Sequence, residues 1–150
     1  MTQVCLVGDA DVDLRYELLS RETSRAALAT YDLHEPFANS VAVDTVSLGA
    51  AVSLLNDLNW YLVRFADCAL VREPSVSTDE WLSRDLATAV RDENVDPADT
   101  DTFLRVYGLD GDTLVEPMYA TRTDGRVPEY DLRPLDDTVV VRVTEAEFGG

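Results

Sequence analysis

The chain has 150 residues, 46% hydrophobic and 27% charged, which is enough apolar content for one domain with a buried core. Twenty-nine acidic residues oppose 12 basic ones, all arginine, so the net charge is −17 and lysine is absent. This balance argues against a basic nucleic-acid surface, and the ordinary apolar content argues against a disordered acidic tail. Carboxylates at this density repel one another in dilute solution. In molar salt, where the Debye length falls to roughly 3 Å, they no longer do. The expectation is a folded protein of a salty cytosol.

The opening "MTQVCLVGD" has no positively charged stretch, and no apolar run reaches roughly 18 residues, so neither a signal peptide nor a membrane span is expected. Residues 3–7 read as a short buried strand ending at Gly8. "VDLRYEL" is ambiguous: it alternates as a half-buried strand would, while Leu14, Leu18 and Leu19 could begin a helix. Residues 20–31 favour helix, and "NSVAVDTVS" after Pro36 favours a strand. From Ser47, a capping residue, apolar positions recur at 51, 55, 58, 62, 65 and 69, which predicts a helix over 48–70. Ser77 and Glu80 form a capping-box pattern, predicting a helix over 78–91. After an acidic loop, "FLRVYGL", "TLVEPMYATR" and "TVVVRV" read as strands joined by the turns "DGD" and "TDG". The pattern predicts a single α+β domain with a mixed or antiparallel sheet and two or three helices packed on one face.

The stretches "DLRYELLSRETSR" and "LGAAVSLLNDLNWYLVRF" resemble an uncharacterised protein family of haloarchaea, and the composition resembles that of salt-in halophiles. The resemblance implies a halophilic cytoplasmic protein and carries no activity with it.

Asp9-Ala10-Asp11-Val12 is similar to the first motif of the haloacid-dehalogenase-like phosphatases. That likeness implies a magnesium-dependent phosphohydrolase in which Asp9 attacks phosphorus and Asp11 acts as acid and base. Asp136 and Asp137 could supply later metal ligands. The lysine that such enzymes use to hold the phosphate has no counterpart here, and the β-hairpin C-terminal third departs from their repeating βα plan. As a calcium loop, Asp9, Asp11 and Asp13 fail, because Leu14 stands where Gly is required and Ser20 where the bidentate Glu belongs. The terminal Gly149-Gly150 is similar to the tail of ubiquitin-like archaeal modifiers, which implies conjugation through Gly150. Those modifiers are shorter and hold fewer helices.

Other chemistries have little support. Cys5 and Cys68 lack metal-ligand spacing and read as buried free thiols. His34 is the single histidine and sits in a polar loop, and no GxSxG, P-loop or GxGxxG pattern occurs. Trp60, Tyr61, Phe65 and Trp81 read as core aromatics at helical spacing. Local charge is more informative. Residues 14–25 carry Arg15, Arg21 and Arg25 against Glu17 and Glu22, and residues 121–135 balance Arg122, Arg126 and Arg133 against three acids. If folding joins them, Arg21, Arg25, Arg122 and Arg126 would form a site for an anion or a protein partner, since guanidinium forks suit carboxylates. The reading is a non-catalytic binding or regulatory domain that needs no cofactor, acting on a protein partner.

Overall fold

The computed structural model describes residues 1–122 and 137–149. The chain begins with strand β1 (Thr2–Gly8), whose alternate side chains both find apolar neighbours: Val4 and Leu6 face one way, Cys5 and Val7 the other. Residues 14–19 resolve as helix α1 (Leu14–Leu19), because Asp13 Oδ1 accepts the Tyr16 N–H at 3.2 Å and caps the first turn. Helix α2 (Glu22–Leu28) is shorter than the segment expected for it. Strand β2 (Ser40–Thr45) follows, and Ser47 caps helix α3 (Leu48–Asp57) as expected, its Oγ accepting from Ala50 N at 3.1 Å.

Two helix expectations need correction. The helix predicted over 48–70 breaks at Leu58, resumes as α4 (Asn59–Phe65), and gives way to strand β3 (Ala66–Arg72). In β3, Ala69 and Val71 face the helices while Cys68 and Leu70 face the other side of the sheet. A short strand apolar on both faces leaves the same sequence trace as the end of a buried helix. The helix predicted over 78–91 begins late. Ser77 Oγ does accept from Glu80 N at 3.0 Å, but Trp81–Ser83 form strand β4, and α5 (Arg84–Arg91) starts after Ser83, whose Oγ accepts from Leu86 N.

A single 3₁₀ turn (Pro97–Asp99) interrupts the acidic loop. Strands β5 (Phe103–Asp110) and β6 (Thr113–Thr121) then form a hairpin around Gly111, whose φ of 64° is the left-handed conformation such a turn needs. Strand β7 (Asp137–Arg142) and helix α6 (Glu145–Gly149) complete the described chain. The expected turn "TDG", Arg126, Asp136 and Gly150 lie outside the described residues.

The described strands form one seven-stranded sheet in the order β2-β1-β3-β4-β7-β5-β6. Among the described strands only β4 and β7 pair in parallel. The fold is α+β with a mixed sheet. Helices α1–α5, five short elements where two or three were expected, cover one face through Leu14, Leu18, Leu28, Leu55, Leu58 and Leu86. A second core of Cys5, Val7, Phe37, Leu70, Trp81, Tyr107 and Val141 lies on the opposite face. Among the described helices only α6 packs against it, through Phe148, and the sheet coils around it. Ala38 N, just before edge strand β2, donates to Asp112 O, in the turn preceding edge strand β6, at 2.8 Å. The two edges thus approach each other at one end.

The seam between the two halves of the sheet carries an ion triad. Glu80 Oε1 accepts from Arg122 Nη2 at 2.5 Å and from Arg142 Nε at 2.8 Å, and Arg142 Nη1 donates to Thr100 Oγ1 at 3.0 Å. Burial alone would raise the Glu80 pKa, yet the two guanidinium groups outweigh it and hold the carboxyl below its ordinary value. A depressed folded pKa contributes stability above the ordinary glutamate range and loses it as pH falls through the folded value. Glu80→Gln is therefore expected to lower unfolding free energy by about 2 kcal/mol near neutral pH, with the loss shrinking in acid, measured by urea denaturation across that range.

Candidate functional site

The segment bearing Asp9 and Asp11 is shaped by one side chain. Asn39, at φ 55°, places its amide inside the bend: Nδ2 donates to Asp9 O at 2.9 Å and Val12 O at 2.6 Å, and Oδ1 accepts from Leu14 N at 3.0 Å. Its own carbonyl accepts from Gly8 N at 2.8 Å, and Asp9 N donates to Phe65 O at 2.9 Å. The approach is close enough that a Cβ on Gly8 would sit 2.6 Å from Asn39 Nδ2. Asp9 is thus held at a strand end as the sequence suggests, and Asp11 is exposed beside it. Asp13 is committed to capping α1.

The setting differs from that of a phosphohydrolase. Strand β1 is antiparallel to both neighbours, so no second parallel strand delivers residues to the same end. Among the described residues no group of three or more His, Cys, Asp or Glu is placed to hold a metal ion. Asp137 opens β7, and His34 is exposed, its backbone forming a bridge to Ala42.

The arginines divide into two kinds. Arg122 is a structural cation, 15% exposed, paired with Glu80 and donating from Nε to Asp101 O at 2.9 Å. Arg21 keeps different company: Nη1 donates to Glu17 Oε2 at 2.6 Å, and its guanidinium lies 4.8 Å from the Phe65 ring and 5.9 Å from the Trp60 ring. Arg21 and Arg122 share no partner among the described residues. Arg25 is exposed on α2.

What the sequence reading missed is the company Arg21 keeps. Trp60 is 48% exposed and does not join the core, whereas Tyr61 and Trp81 do. Arg64 stacks on Trp60 at 3.9 Å and donates from Nη1 to Trp60 O at 2.8 Å. Trp60, Val63 and Arg64 stand on the outer side of α4, and Tyr16 is exposed on α1, which packs against α4. The i, i+3, i+4 spacing of 60, 63 and 64 carries this signal, because it runs opposite to buried Tyr61 and Leu62. The result is a surface on which an indole is flanked by two guanidinium groups.

The second chemically distinct place is inside the coil. The Tyr107 hydroxyl is in hydrogen-bond reach of Cys68 Sγ, although β5 and β3 are three places apart in the sheet. Arg105 lies over the Tyr107 ring at 5.4 Å, is in hydrogen-bond reach of Tyr119, and leaves its buried Nε without a partner. Burial pushes the Cys5 thiol up to about 12 and the Cys68 thiol up to about 11, and raises the Tyr107 phenol as well. These groups stay protonated near neutral pH, so neither thiol is a poised nucleophile.

The far end of the chain is docked. Thr144 and Glu147 form a capping box, Ser83 Oγ donates to Glu147 Oε1 at 2.6 Å, and Phe148 packs 5.1 Å from Phe103. Gly149 is the last residue of α6.

Two measurements follow from this geometry. Asn39→Ala strands Asp9 O, Val12 O and Leu14 N and places alanine at positive φ, so a loss of roughly 2–3 kcal/mol is expected in chemical denaturation. The thiols shape the alkaline limb. An unfolded thiol titrates near 9 while the folded ones hold their protons, so their contribution is complete below 9 and is lost as pH climbs toward 11–12. Cys68→Ser is expected to flatten that decline in unfolding midpoints, and Ellman's reagent is expected to label the parent only as fast as it opens.

No curated protein and no solved structure matches the chain. A family model does, over residues 2–109, a span that includes Asp9, Asn39, Arg21, Arg25, Trp60 and Arg64 and ends within β5. The chain therefore belongs to the family of unknown function DUF5804.

Proposed function

We propose that this protein is a salt-adapted cytoplasmic binding domain, without catalytic activity, that engages a carboxylate-bearing segment of a protein partner through the outer face of α1, α2 and α4. The observation that carries the reading is Trp60, half exposed and held between Arg64 and Arg21 on a chain whose net charge is −17. Exposed tryptophan, tyrosine and arginine together are the residue types that concentrate binding energy at protein interfaces. Arg21 and Arg64 flank the indole. Helices α1, α2 and α4 with the α2 cap carry Arg15, Arg21, Arg25 and Arg64 against Glu17 and Glu22, which makes these helices net positive on an acidic chain and favours carboxylates there.

Stability alone does not account for the arrangement. The Arg21–Glu17 pair is an exposed i,i+4 contact worth about 0.5 kcal/mol, and each exposed guanidinium–aromatic stack adds roughly 0.5–1 kcal/mol. Salt adaptation, haloarchaeal origin and cytoplasmic residence rest on the acidic, lysine-free composition and on the stretches quoted above. In molar salt, charge attraction reaches only about 3 Å, so recognition must rest on direct guanidinium–carboxylate contact and burial of the indole. The face supplies both. Phosphoryl transfer at Asp9 and Asp11 has no comparable geometric support among the described residues.

The test is affinity capture of the tagged protein from a halophile lysate kept in molar potassium chloride, followed by mass spectrometry and by titration of the captured partner. Trp60→Ala with Arg64→Ala is expected to weaken the partner by at least 2 kcal/mol, roughly 30-fold in Kd, while shifting the thermal midpoint little. Arg21→Ala with Arg25→Ala is expected to weaken it in the same direction. Undiminished capture by both double variants would refute the proposal.

A further inference from the structure

The interior of the coiled sheet, on the side away from the helical face proposed above, holds both cysteines of the sequence. In the β1–β3 ladder Cys5 stands opposite Leu70 and Cys68 opposite Val7, so the two thiols occupy diagonal positions on neighbouring strands and face the same side. They are near enough that ionising Cys68 disfavours ionising Cys5. Diagonal Cβ atoms lie roughly 7 Å apart, beyond the ~3.8 Å of a disulfide, and both residues are free cysteines. Thiols turned toward each other across that spacing suit one ion between them, since two metal–sulfur bonds of about 2.3 Å in line span roughly 4.6 Å. Such an ion would also remove the repulsion between the two thiolates.

The surroundings match the negative charge that such a complex carries. Arg72, which lies over Trp81 at 4.6 Å and bonds Gln3, favours the thiolate form of Cys5, and Arg105 favours that of Cys68. Asp67 acts on Cys68 in the opposite sense and less strongly than Arg105. Arg105 also keeps a buried Nε without a hydrogen-bond partner. The Tyr107 hydroxyl is in reach to donate to Cys68 Sγ, the kind of outer contact that orients a metal-bound sulfur. Thiols buried for packing alone behave as small apolar groups and gain nothing from a guanidinium beside each. Thiolates select soft ions such as copper(I), which two ligands satisfy, whereas zinc takes four. The sequence has no third cysteine, its one histidine is exposed His34, and among the described residues no His, Cys, Asp or Glu completes a larger set. We propose that Cys5 and Cys68 bind one copper(I) ion as a linear bis-thiolate, with Arg72 and Arg105 balancing its negative charge. Two S–H bonds break and two Cu–S bonds form, both protons pass to solvent, and no electron is transferred.

The test is an anaerobic titration of the full-length, reduced protein with copper(I) in molar potassium chloride, with bicinchoninate as the competing chelator. One copper per monomeric chain is expected, with two protons released per copper. X-ray absorption of the loaded protein is expected to show two sulfur neighbours and no nitrogen or oxygen. Cys5→Ala and Cys68→Ala are each expected to abolish uptake, Arg105→Gln to weaken it about tenfold, and zinc(II) offered in the same way to find no site. No uptake, more than one copper per chain, a copper-linked dimer, any other coordination shell, equal binding of zinc(II), affinity indifferent to Arg105→Gln, or uptake retained by either cysteine variant would each overturn the proposal. Should the cysteine variants fail to fold, X-ray absorption of the parent protein decides the matter.

Discussion

The Asn39 carboxamide is the contact on which one end of this sheet depends. Strand β1 stops at Gly8, and the chain must cross the end of the sheet before α1 begins, exposing carbonyls and an N–H that no strand pairs. Two donors and one acceptor from a single side chain satisfy them, and the same residue's backbone carbonyl takes the Gly8 N–H. Only a residue tolerant of positive φ with both donor and acceptor capacity can do this, which narrows the choice to asparagine. The Asp9–Asp11 bend is thus a consequence of chain crossing. A strand-end Asp-x-Asp has the form of a catalytic motif here because the same geometry, a turn tied down at the end of a buried strand, serves both purposes.

A second constraint joins the two halves of the molecule. The first half, β2-β1-β3-β4 with its helices, is covered on one face by side chains from α1–α5. The second, β7-β5-β6, is a hairpin plus one strand, and within the sheet it joins the first through the parallel β4–β7 pair, with the Glu80 triad beside it. Trp81 and Leu82 make just two ladder pairings with β7, so the ion triad supports a short seam. The second core depends on this joint, because the coil that encloses Leu70, Tyr107 and Val141 requires both halves to be held at one angle.

Arginine use sorts the described cations of the chain by environment. Arg122 and Arg142 are enclosed beside Glu80, Arg72 lies over Trp81 at 4.6 Å and bonds Gln3, and Arg84 bonds Asn56 and Asn59. Those around α1, α2 and α4 have weaker commitments: Arg64 stacks on an exposed indole, and Arg25 reaches into solvent. A guanidinium stacked on a ring keeps its outer N–H edge available for a carboxylate. The same residue type, with no lysine to share the work, therefore both clamps the fold and dresses its least acidic face.

Composition, local alternation and capping chemistry were enough to establish the α+β class, strand β1, the β5–β6 hairpin, β7 and the Ser47 helix start. Each depends on neighbours within a few residues. Tertiary structure decided the remainder. Residues 66–72 and 81–83 are strands because both of their faces are covered, and periodicity reports that a residue is buried without saying by what. Glu80 looked like the end of a capping box, yet its carboxylate was claimed by arginines 42 and 62 positions away, a charge-assisted competition no local pattern contains. Trp60 belonged by spacing to the core, and only the break at Leu58 and the packing of α4 on α1 turned it outward between Arg21 and Arg64. The meeting of Cys68 with Tyr107 and Arg105 arises from the coiling of the whole sheet, which is a sum over seven strands and is written in none of them.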